Sequence, residues 1–408
     1  METLKLSERE LDVIIYGASG FTGRLVAEYL AKQGETRWAI AGRSRAKLEA
    51  VRDEIGAPKE TPILTADAAD AASLEAMTAR AKVVLTTVGP YQLYGEPLVA
   101  ACVKTGTDYV DLCGEPNWMA EMIAKYGAAA KQSGARIVFS CGFDSIPFDC
   151  GVFFTQNLAR ERLGGPAKDM RGRVRKMKGT FSGGTMASML ATIDAQKRDP
   201  DLMKKLRNPF LLAGERGTAQ PEQNKPLHDA DLDAWATPFV MAPINTKNVH
   251  RTNALLGYPY GRDFTYSEMQ MTGKGAPGQK RAKAAANSAL MLLAGLAFPP
   301  TRWLLTTFAL PKPGQGPNKE ARESGRYEVL FVADGAGGQV RASVSGDKDP
   351  GYGSTSKMIS EAALCLARDV DRTQTPGGIW TPAAAMGETL IKRLAARAGL
   401  TFNALDQS

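Results

Sequence analysis

Histidine is scarce in this chain: only His228 and His250 occur among 408 residues. The five cysteines (Cys102, Cys113, Cys141, Cys150 and Cys365) are scattered and never form a Cys-x-x-Cys pair. A tetrahedral zinc site draws on those two residue types at short spacing, so the sequence argues against a metal centre. An odd, dispersed set of cysteines argues for reduced thiols over a disulfide framework. Met1 to Glu10 carries Glu2, Glu8 and Glu10 and lacks the apolar core of a secretory signal. The expectation is a cytoplasmic protein, extending to peripheral contact with the inner face of the plasma membrane. The net charge of +8 is modest, and the basic residues are not interleaved with aromatics. That speaks against nucleic acid and for an anionic cofactor, substrate or lipid head group. Internal repeats and low-complexity tracts are also missing.

What is present is an ordinary globular composition, 44% hydrophobic and 23% charged, in a chain long enough for two domains. The first 150 residues alternate short apolar runs with helical spacing. Strands are expected at Leu11 to Tyr16, Trp38 to Ala41, Pro62 to Thr65, Val83 to Val88, Asp108 to Leu112 and Arg136 to Ser140. Helices fall between them. Strands that are apolar throughout and separated by helices predict an α/β fold with a doubly wound parallel sheet of Rossmann type.

After Phe148 the rhythm changes. Met170 to Lys178 alternates charged with small or apolar residues, Phe264 to Met271 and Tyr327 to Ala333 read as strands, and Asp334-Gly-Ala-Gly-Gly338 marks a hairpin into Gln339 to Ser345. A second α/β domain with a mixed, largely antiparallel sheet is expected over 151–345. Long loops are expected at Asn208 to Pro243 and Pro311 to Pro317, where Pro and Gly cluster. Residues 346–408 read as a helical tail packing back on the first domain, from the spacing of Met358, Ala362 and Leu366.

Ala289 to Phe298 is apolar, Pro299-Pro300 interrupts it, and Thr301 to Leu310 continues it. Ten residues are too few to span a bilayer, and a double proline breaks a longer helix. A buried helical hairpin is the first expectation. The competing one is a membrane-dipping element, because Lys280, Arg281 and Lys283 lie just upstream.

The chemistry is concentrated at Gly17, Gly20 and Gly23, spaced three apart directly after the first strand. A strand feeding a glycine turn that opens a helix aims backbone N–H groups and the helix dipole at a pyrophosphate. The spacing is G-x-x-G-x-x-G, with Ser19 near the place of the usual second glycine, so a plain turn competes with a dinucleotide site. The second strand separates the two readings. An NAD site needs an acidic residue about 20 positions past the glycines. Here Arg43 stands at 43 − 23 = 20, followed by Ser44 and Lys47. A guanidinium suits a 2′-phosphate, so the cofactor is NADP(H), unless Arg43 is only a solvated strand end. Asp67 ends the third strand and either accepts from the adenine amino group or caps the helix near Ala71. The fourth strand ends in Val88, Gly89 and Pro90, beside the nicotinamide end of the crevice. Phe21 and Thr22 complete the glycine turn.

Tyr16-Gly-Ala-Ser-Gly-Phe-Thr-Gly23, Ala41-Gly-Arg-Ser44, Gly89-Pro-Tyr-Gln-Leu-Tyr-Gly95, Asp108-Tyr-Val-Asp-Leu-Cys-Gly-Glu115, Gly142-Phe-Asp-Ser-Ile-Pro-Phe-Asp149 and Gly346-Asp-Lys-Asp-Pro-Gly-Tyr-Gly353 occur in that order. Together they resemble the saccharopine dehydrogenase-like oxidoreductases, most closely the branch containing mycobacterial trans-acting enoyl reductases. The resemblance covers nearly the whole chain. It implies an NADP(H)-binding Rossmann domain, a second domain with a mixed sheet, and hydride transfer to acyl chains in lipid or glycolipid assembly, with membrane association. The partners expected are a small-molecule or carrier-bound acyl substrate, peripheral membrane contact through 289–310, and a second copy in a homodimer.

Enoyl reduction also needs a group that polarises the carbonyl or protonates the α-carbon. Tyr91 and Tyr94 follow the fourth strand and are the first candidates, with aromatic packing as the alternative. Asp144 and Ser145 follow the sixth strand, where they act chemically or cap the helix near Pro147. Glu115 is a candidate for orienting substrate or ribose, Cys113 reads as a packed residue, and Lys357 opens the tail helix on a solvated face or near the site. Two other functions stay open: a non-catalytic NADP(H)-binding, lipid-associated protein, and a saccharopine-type amino-acid dehydrogenase. The second domain shows no cluster of cations placed to clamp several carboxylates, which weighs against the last.

Overall fold

The apolar runs of the first third become strands because both of their faces are covered. In the computed structural model, which describes residues 6–34, 36–179, 183–310 and 314–406, the strands in chain order are β1 (Leu11–Tyr16), β2 (Trp38–Gly42), β3 (Ile63–Thr65), β4 (Ala81–Thr86), β5 (Asp108–Val110) and β6 (Arg136–Val138). They continue with β7 (Asp169–Lys178), β8 (Leu227–Asp229), β9 (Ala234–Pro238), β10 (Thr265–Gly273), β11 (Arg326–Gly335), β12 (Gly338–Gly346), β13 (Gly378–Trp380) and β14 (Leu400–Leu405). Two seven-stranded sheets result. The first has the order β13-β6-β5-β4-β1-β2-β3 and is parallel throughout. The second has the order β14-β12-β11-β7-β10-β9-β8, antiparallel except where β10 pairs with β7.

The chain divides into two compact units. One runs to Ile146 and takes in Gly314–Gly316 and Gly351–Gly399; the other holds the chain from Pro147, Pro317–Pro350 and the residues from Leu400 on. Every residue of β1 and β2 is buried, and each fully buried Val, Leu or Ile contributes about 1.5–3 kcal/mol. Local chemistry ends the helices. The Ser44 hydroxyl caps Arg45–Glu54 by accepting from the Lys47 N–H, Asp70 caps Ala71–Thr78 by accepting from the Ala72 and Ser73 N–H groups, and Gly106 closes Glu96–Thr105 in the left-handed region at φ 67°. Within the same unit the helix Thr355–Arg368 packs on the helix Phe21–Gln33 and on β4 and β5. Arg368 pairs with the buried Asp12 at 2.9 Å, and the Tyr29 hydroxyl donates to Glu361 at 2.7 Å.

The structure differs in three places from the expected division at 150 and 345, the helical tail and the Asn208 to Pro243 loop. The first unit ends at Ile146, where the helix Ile146–Leu163 begins. The tail contributes a strand to each sheet: β13 lies along β6, and β14 pairs with β12 from Gly346↔Leu400 to Arg341↔Leu405. A three-residue strand and a strand reading Leu-Thr-Phe-Asn-Ala-Leu give too little alternation to stand out beside a strong helical repeat. The supposed loop over Asn208 to Pro243 holds β8 and β9.

The buried-hairpin expectation for 289–310 is overturned. A helix Gly275–Ala297 turns into a shorter helix Pro299–Leu304, and between Ala289 and Leu310 Leu296 alone is buried. No single helix among the described residues is long and apolar enough to cross a membrane.

Candidate active site

The strand order of the parallel sheet reverses between β1 and β4. Ligands of such sheets bind outside the carboxyl ends of the strands at that reversal. The glycine turn sits there: Gly17 leaves β1 at φ 91°, its N–H donating to the Ala41 carbonyl at 2.9 Å. A Cβ on Gly17 would lie 2.6 Å from Val88 Cγ2, and a Cβ on Gly23 would overlap the Gly17 carbonyl oxygen. The turn thus closes on itself and on the segment after β4, leaving main chain at the surface. The Gly20 N–H donates back to Gly17 at 3.0 Å, and Gly20 then precedes the helix Phe21–Gln33 with no side chain capping it. Ser19 and Gly20 are exposed, Phe21 and Thr22 half-buried. A backbone cradle at an uncapped helix N-terminus fits a pyrophosphate.

Arg43, Ser44 and Lys47 follow β2. Arg43 is exposed and is in no ion pair among the described residues, and Lys47 is exposed as well. A guanidinium with no carboxylate opposite it fits a 2′-phosphate. Ser44 is engaged as the helix cap. Asp67 does not cap the helix Ala71–Thr78, since Asp70 does; Asp67 instead accepts from the Ala69 N–H at 3.0 Å. Tyr16, which the sequence reading passed over, ties these groups together. Burial pushes its hydroxyl up, Asp67 adds to the rise, and Arg43 opposes it.

After β4 the Val88 N–H donates to Thr86 Oγ1 at 3.2 Å, and Gly89 and Pro90, joined by a cis peptide, lead into the short helix Tyr91–Tyr94. Tyr91 and Tyr94 then part company. Tyr91 is buried against Trp118, with its hydroxyl donating to the Thr86 carbonyl at 3.3 Å and accepting from the Leu112 N–H at 3.0 Å. Burial, with Asp111 next, holds that hydroxyl well above the usual tyrosine range. This is the packing alternative, and it leaves Tyr94, 49% exposed, as the open phenol. Glu115 is buried with both carboxylate oxygens taken, accepting at 2.9 Å from the Tyr91 and Gln92 N–H groups. It fixes the start of that short helix. Cys113 is buried and free, and burial pushes its thiol up.

The sixth strand leads to Ser140, at φ 62° in the left-handed region, whose hydroxyl donates to the Cys113 carbonyl at 2.6 Å. Asp144 and Ser145 follow, joined by a cis peptide and placed at the start of the helix Ile146–Leu163. Burial pushes the Asp144 carboxyl up to about 7. Ser145 is buried and its N–H donates to the Ser140 carbonyl at 2.8 Å. Asp111, missed in the sequence, is also pushed up to about 7 by burial, against the hydrogen bonds it accepts from Cys113 N–H, Ser140 N–H and the Tyr109 hydroxyl. Nearby, Thr355 Oγ1 accepts from the Phe143 N–H at 3.0 Å, and Lys357 is half-buried in the first turn of Thr355–Arg368.

The second unit holds a polar group that sequence reading missed altogether. The helix Ala242–Leu255 is buried along most of its length, including Asn245, Lys247, Asn248, His250 and Arg251. The Lys247 ammonium donates to the Pro243 carbonyl at 2.8 Å, and burial pushes it down to about 8. His250 packs at a tilt against Phe210 with ring centroids 4.6 Å apart, and burial, reinforced by Lys247, pushes it down to about 4. Asn245 donates to Glu268 at 2.7 Å. A run such as Asn-Thr-Lys-Asn-Val-His-Arg-Thr-Asn carries no apolar stripe, so only its burial shows that it is a core helix.

A parallel sheet with a glycine cradle at its strand reversal and an unpaired guanidinium past the second strand defines an NADP-dependent oxidoreductase. The comparisons agree: residues 13–138 match the saccharopine dehydrogenase NADP binding domain. The trans-acting enoyl reductase of Mycobacterium bovis (strain BCG) is 40% identical over 403 residues, 95% of this chain and 96% of that one. The enzyme of that name from Mycobacterium ulcerans is 37% identical over 404 residues, with the same coverage. A Mycobacterium tuberculosis protein provisionally given the name is 44% identical over 406 residues, again 95% and 96% of the two chains. The chain therefore belongs to the saccharopine dehydrogenase-like family, in the group of the trans-acting enoyl reductases. A saccharopine dehydrogenase structure from Saccharomyces cerevisiae shares the fold, with a TM-score of 0.52 and 14% identity over 97% of this chain and 100% of that one.

Proposed function

We propose that this NADP-dependent oxidoreductase reduces the carbon–carbon double bond of an enoyl thioester whose acyl chain, of lipid or polyketide origin, is presented by another protein. The observation that carries the reading is the glycine turn, closed too tightly at Gly17 and Gly23 for a side chain, set beside an Arg43 that is in no ion pair among the described residues. The names of the relatives supply the direction of the chemistry.

Gly17, Ser19, Gly20, Phe21, Thr22 and Gly23 cradle the pyrophosphate, chiefly by main chain. Arg43 and Lys47 bind the 2′-phosphate, with Ser44 fixing the helix beside them. Asp67 meets the adenine, and Val88, Gly89 and Pro90 wall the nicotinamide end. Bound there, NADPH supplies the hydride for the β-carbon. The proton for the α-carbon comes from this chain, and the two groups open to that task are the exposed Tyr94 hydroxyl and the Asp144 carboxyl, which stays protonated to about pH 7. Ser145, buried in the same turn, positions Asp144. Tyr91 acts through packing, holding the short helix that presents Tyr94.

The test is NADPH oxidation with trans-2-enoyl thioesters of graded chain length. Arg43→Asp should weaken NADPH by about tenfold or more while leaving NADH little changed, since a bidentate pair to phosphate is worth on the order of 1.5–3 kcal/mol. Equal loss for both cofactors would remove the 2′-phosphate role. If Asp144 gives the proton, kcat/KM falls as pH rises through about 7 and Asp144→Asn abolishes that limb; an unchanged profile transfers the role to Tyr94.

A further inference from the structure

The helix Gly275–Ala297 is anchored to the second sheet only along its first turns. Gly278 and Ala282 are buried, the Thr272 hydroxyl donates to the Gly278 carbonyl at 2.9 Å, and the Thr237 hydroxyl donates to the Ala282 carbonyl at 3.1 Å. From Lys283 to Leu310 Leu296 alone is buried. The helix stands clear of the sheet, bends by 103° at Phe298, and continues through Pro299–Leu304 to Ala309. Along this outer limb Leu290, Met291, Phe298, Trp303, Leu304 and Phe308 are between 54% and 74% exposed. Trp303 and Phe308 meet edge to face at 5.9 Å, so the aromatic end of the limb is formed by the limb itself.

Large apolar side chains massed on one exposed element mark an interaction surface, because leaving them in water forgoes about 25 cal/mol for each Å². The charge pattern says what covers them. Between Glu268 and Glu320 the 51 residues 269–319 contain no Asp or Glu and seven cations, Lys274, Lys280, Arg281, Lys283, Arg302, Lys312 and Lys319. Arg302 is paired with Asp194 at 2.6 Å, whereas Lys280 and Lys283 are exposed and in no ion pair among the described residues. An apolar limb rich in aromatics, with unpaired lysines at its root and no acid along it, matches an anionic lipid surface. A second copy would set the same cations against each other. No single helix among the described residues is long and apolar enough for a straight crossing, and a limb bent by 103° with lysines at its root suits a seat along the interface.

We propose that residues 284–310 insert in-plane into the head-group region of an anionic bilayer, with Phe298, Trp303 and Phe308 entering the acyl boundary and Lys280 and Lys283 meeting the lipid charges. This docking needs neither cofactor nor substrate and stands apart from the reductase reading.

The test floats the full chain with vesicles of phosphatidylcholine alone, or of phosphatidylcholine and phosphatidylglycerol in equal parts. The wild type should float with the mixed vesicles. Joint Trp303→Ser and Phe308→Ser should lower the partition coefficient by about a hundredfold on them, since each takes a large aromatic side chain out of the interface. Joint Lys280→Gln and Lys283→Gln should lower it by about tenfold only where phosphatidylglycerol is present. All four positions are exposed, so thermal unfolding should match wild type and report intact folding. Wild type that stays at the bottom of the gradient, or variants that float as well as wild type, would overturn the proposal. A dimer in sedimentation that the aromatic double variant splits, without flotation, would assign the face to a second copy and overturn it as well.

Discussion

The two units solve the same architectural problem with opposite materials. Each is built on a seven-stranded sheet. In the first, β1 and β2 are buried on both faces, and the cofactor turn at their end is closed by glycines, with no room for a side chain at Gly17 or Gly23. In the second, a buried helix carries Asn245, Lys247, His250 and Arg251 into the interior, and the Arg173–Asp229 pair is 3% and 2% exposed. The glycine turn depends on the absence of atoms, the buried helix on polar atoms removed from water. The first arrangement fails by overlap, the second by leaving a charge or dipole unanswered.

The largest expected break is Gly23→Val in the first unit. Its Cβ would fall on the Gly17 carbonyl oxygen, a main-chain atom that cannot rotate away. We expect a loss of about 5 kcal/mol or more and of NADPH binding, read by urea unfolding and cofactor fluorescence. A variant that folds and binds normally would show that the closeness of the turn is unimportant.

Next comes Asp229→Ala in the second unit. Arg173 Nε donates to Asp229 at 2.8 Å, and removing the carboxylate strands a buried guanidinium, at a cost of about 3 kcal/mol. A change below about 1 kcal/mol in chemical denaturation would mean that water reaches Arg173.

The smallest effect sharpens the contrast. Lys247 is pushed down to about 8 from an ordinary 10.5, so between those values the folded state holds fewer protons than the unfolded chain. Stability should therefore rise with pH across that window, and below it the penalty of the buried charge is present in full. Lys247→Met should flatten the rise and stabilise the protein near neutrality by about 2 kcal/mol. Equal slopes for wild type and variant between pH 8 and pH 10 would contradict the burial.

The same contrast explains what the sequence disclosed. Val13, Ile14 and Ile15 announce a strand covered on both sides, and the glycines that follow, with Arg43 twenty positions on, carry their reason in their identity. The six strands up to Val138 and the cofactor turn were legible for that cause. The helix Ala242–Leu255 was not, because polar residues paired inside a core look like polar residues in water. Tyr91 and Tyr94 had equal claims in the sequence, and only burial separates them. Asp111 and Tyr16 were invisible because the main cause of their perturbation is burial, which a residue's identity does not disclose. The outer limb over 289–310 was seen as apolar, but the first of its two expected settings, a buried hairpin, is wrong, since composition does not say which side of a helix faces protein.

The path of the chain between the units has a practical meaning. The polypeptide passes from one unit to the other five times, at 146/147, 313/314, 316/317, 350/351 and 399/400. Gly316 belongs to the first unit because it lies against the Phe21 ring, where any side chain would overlap, and that ring also meets Tyr352 at 4.8 Å. The cofactor half is therefore not an N-terminal fragment. Cut at residue 150, it would lose β13 from the edge of its sheet and the helix that answers Asp12 and Tyr29. The two units are synthesised as one interleaved thread, so the first cannot finish folding until Gly399 has left the ribosome.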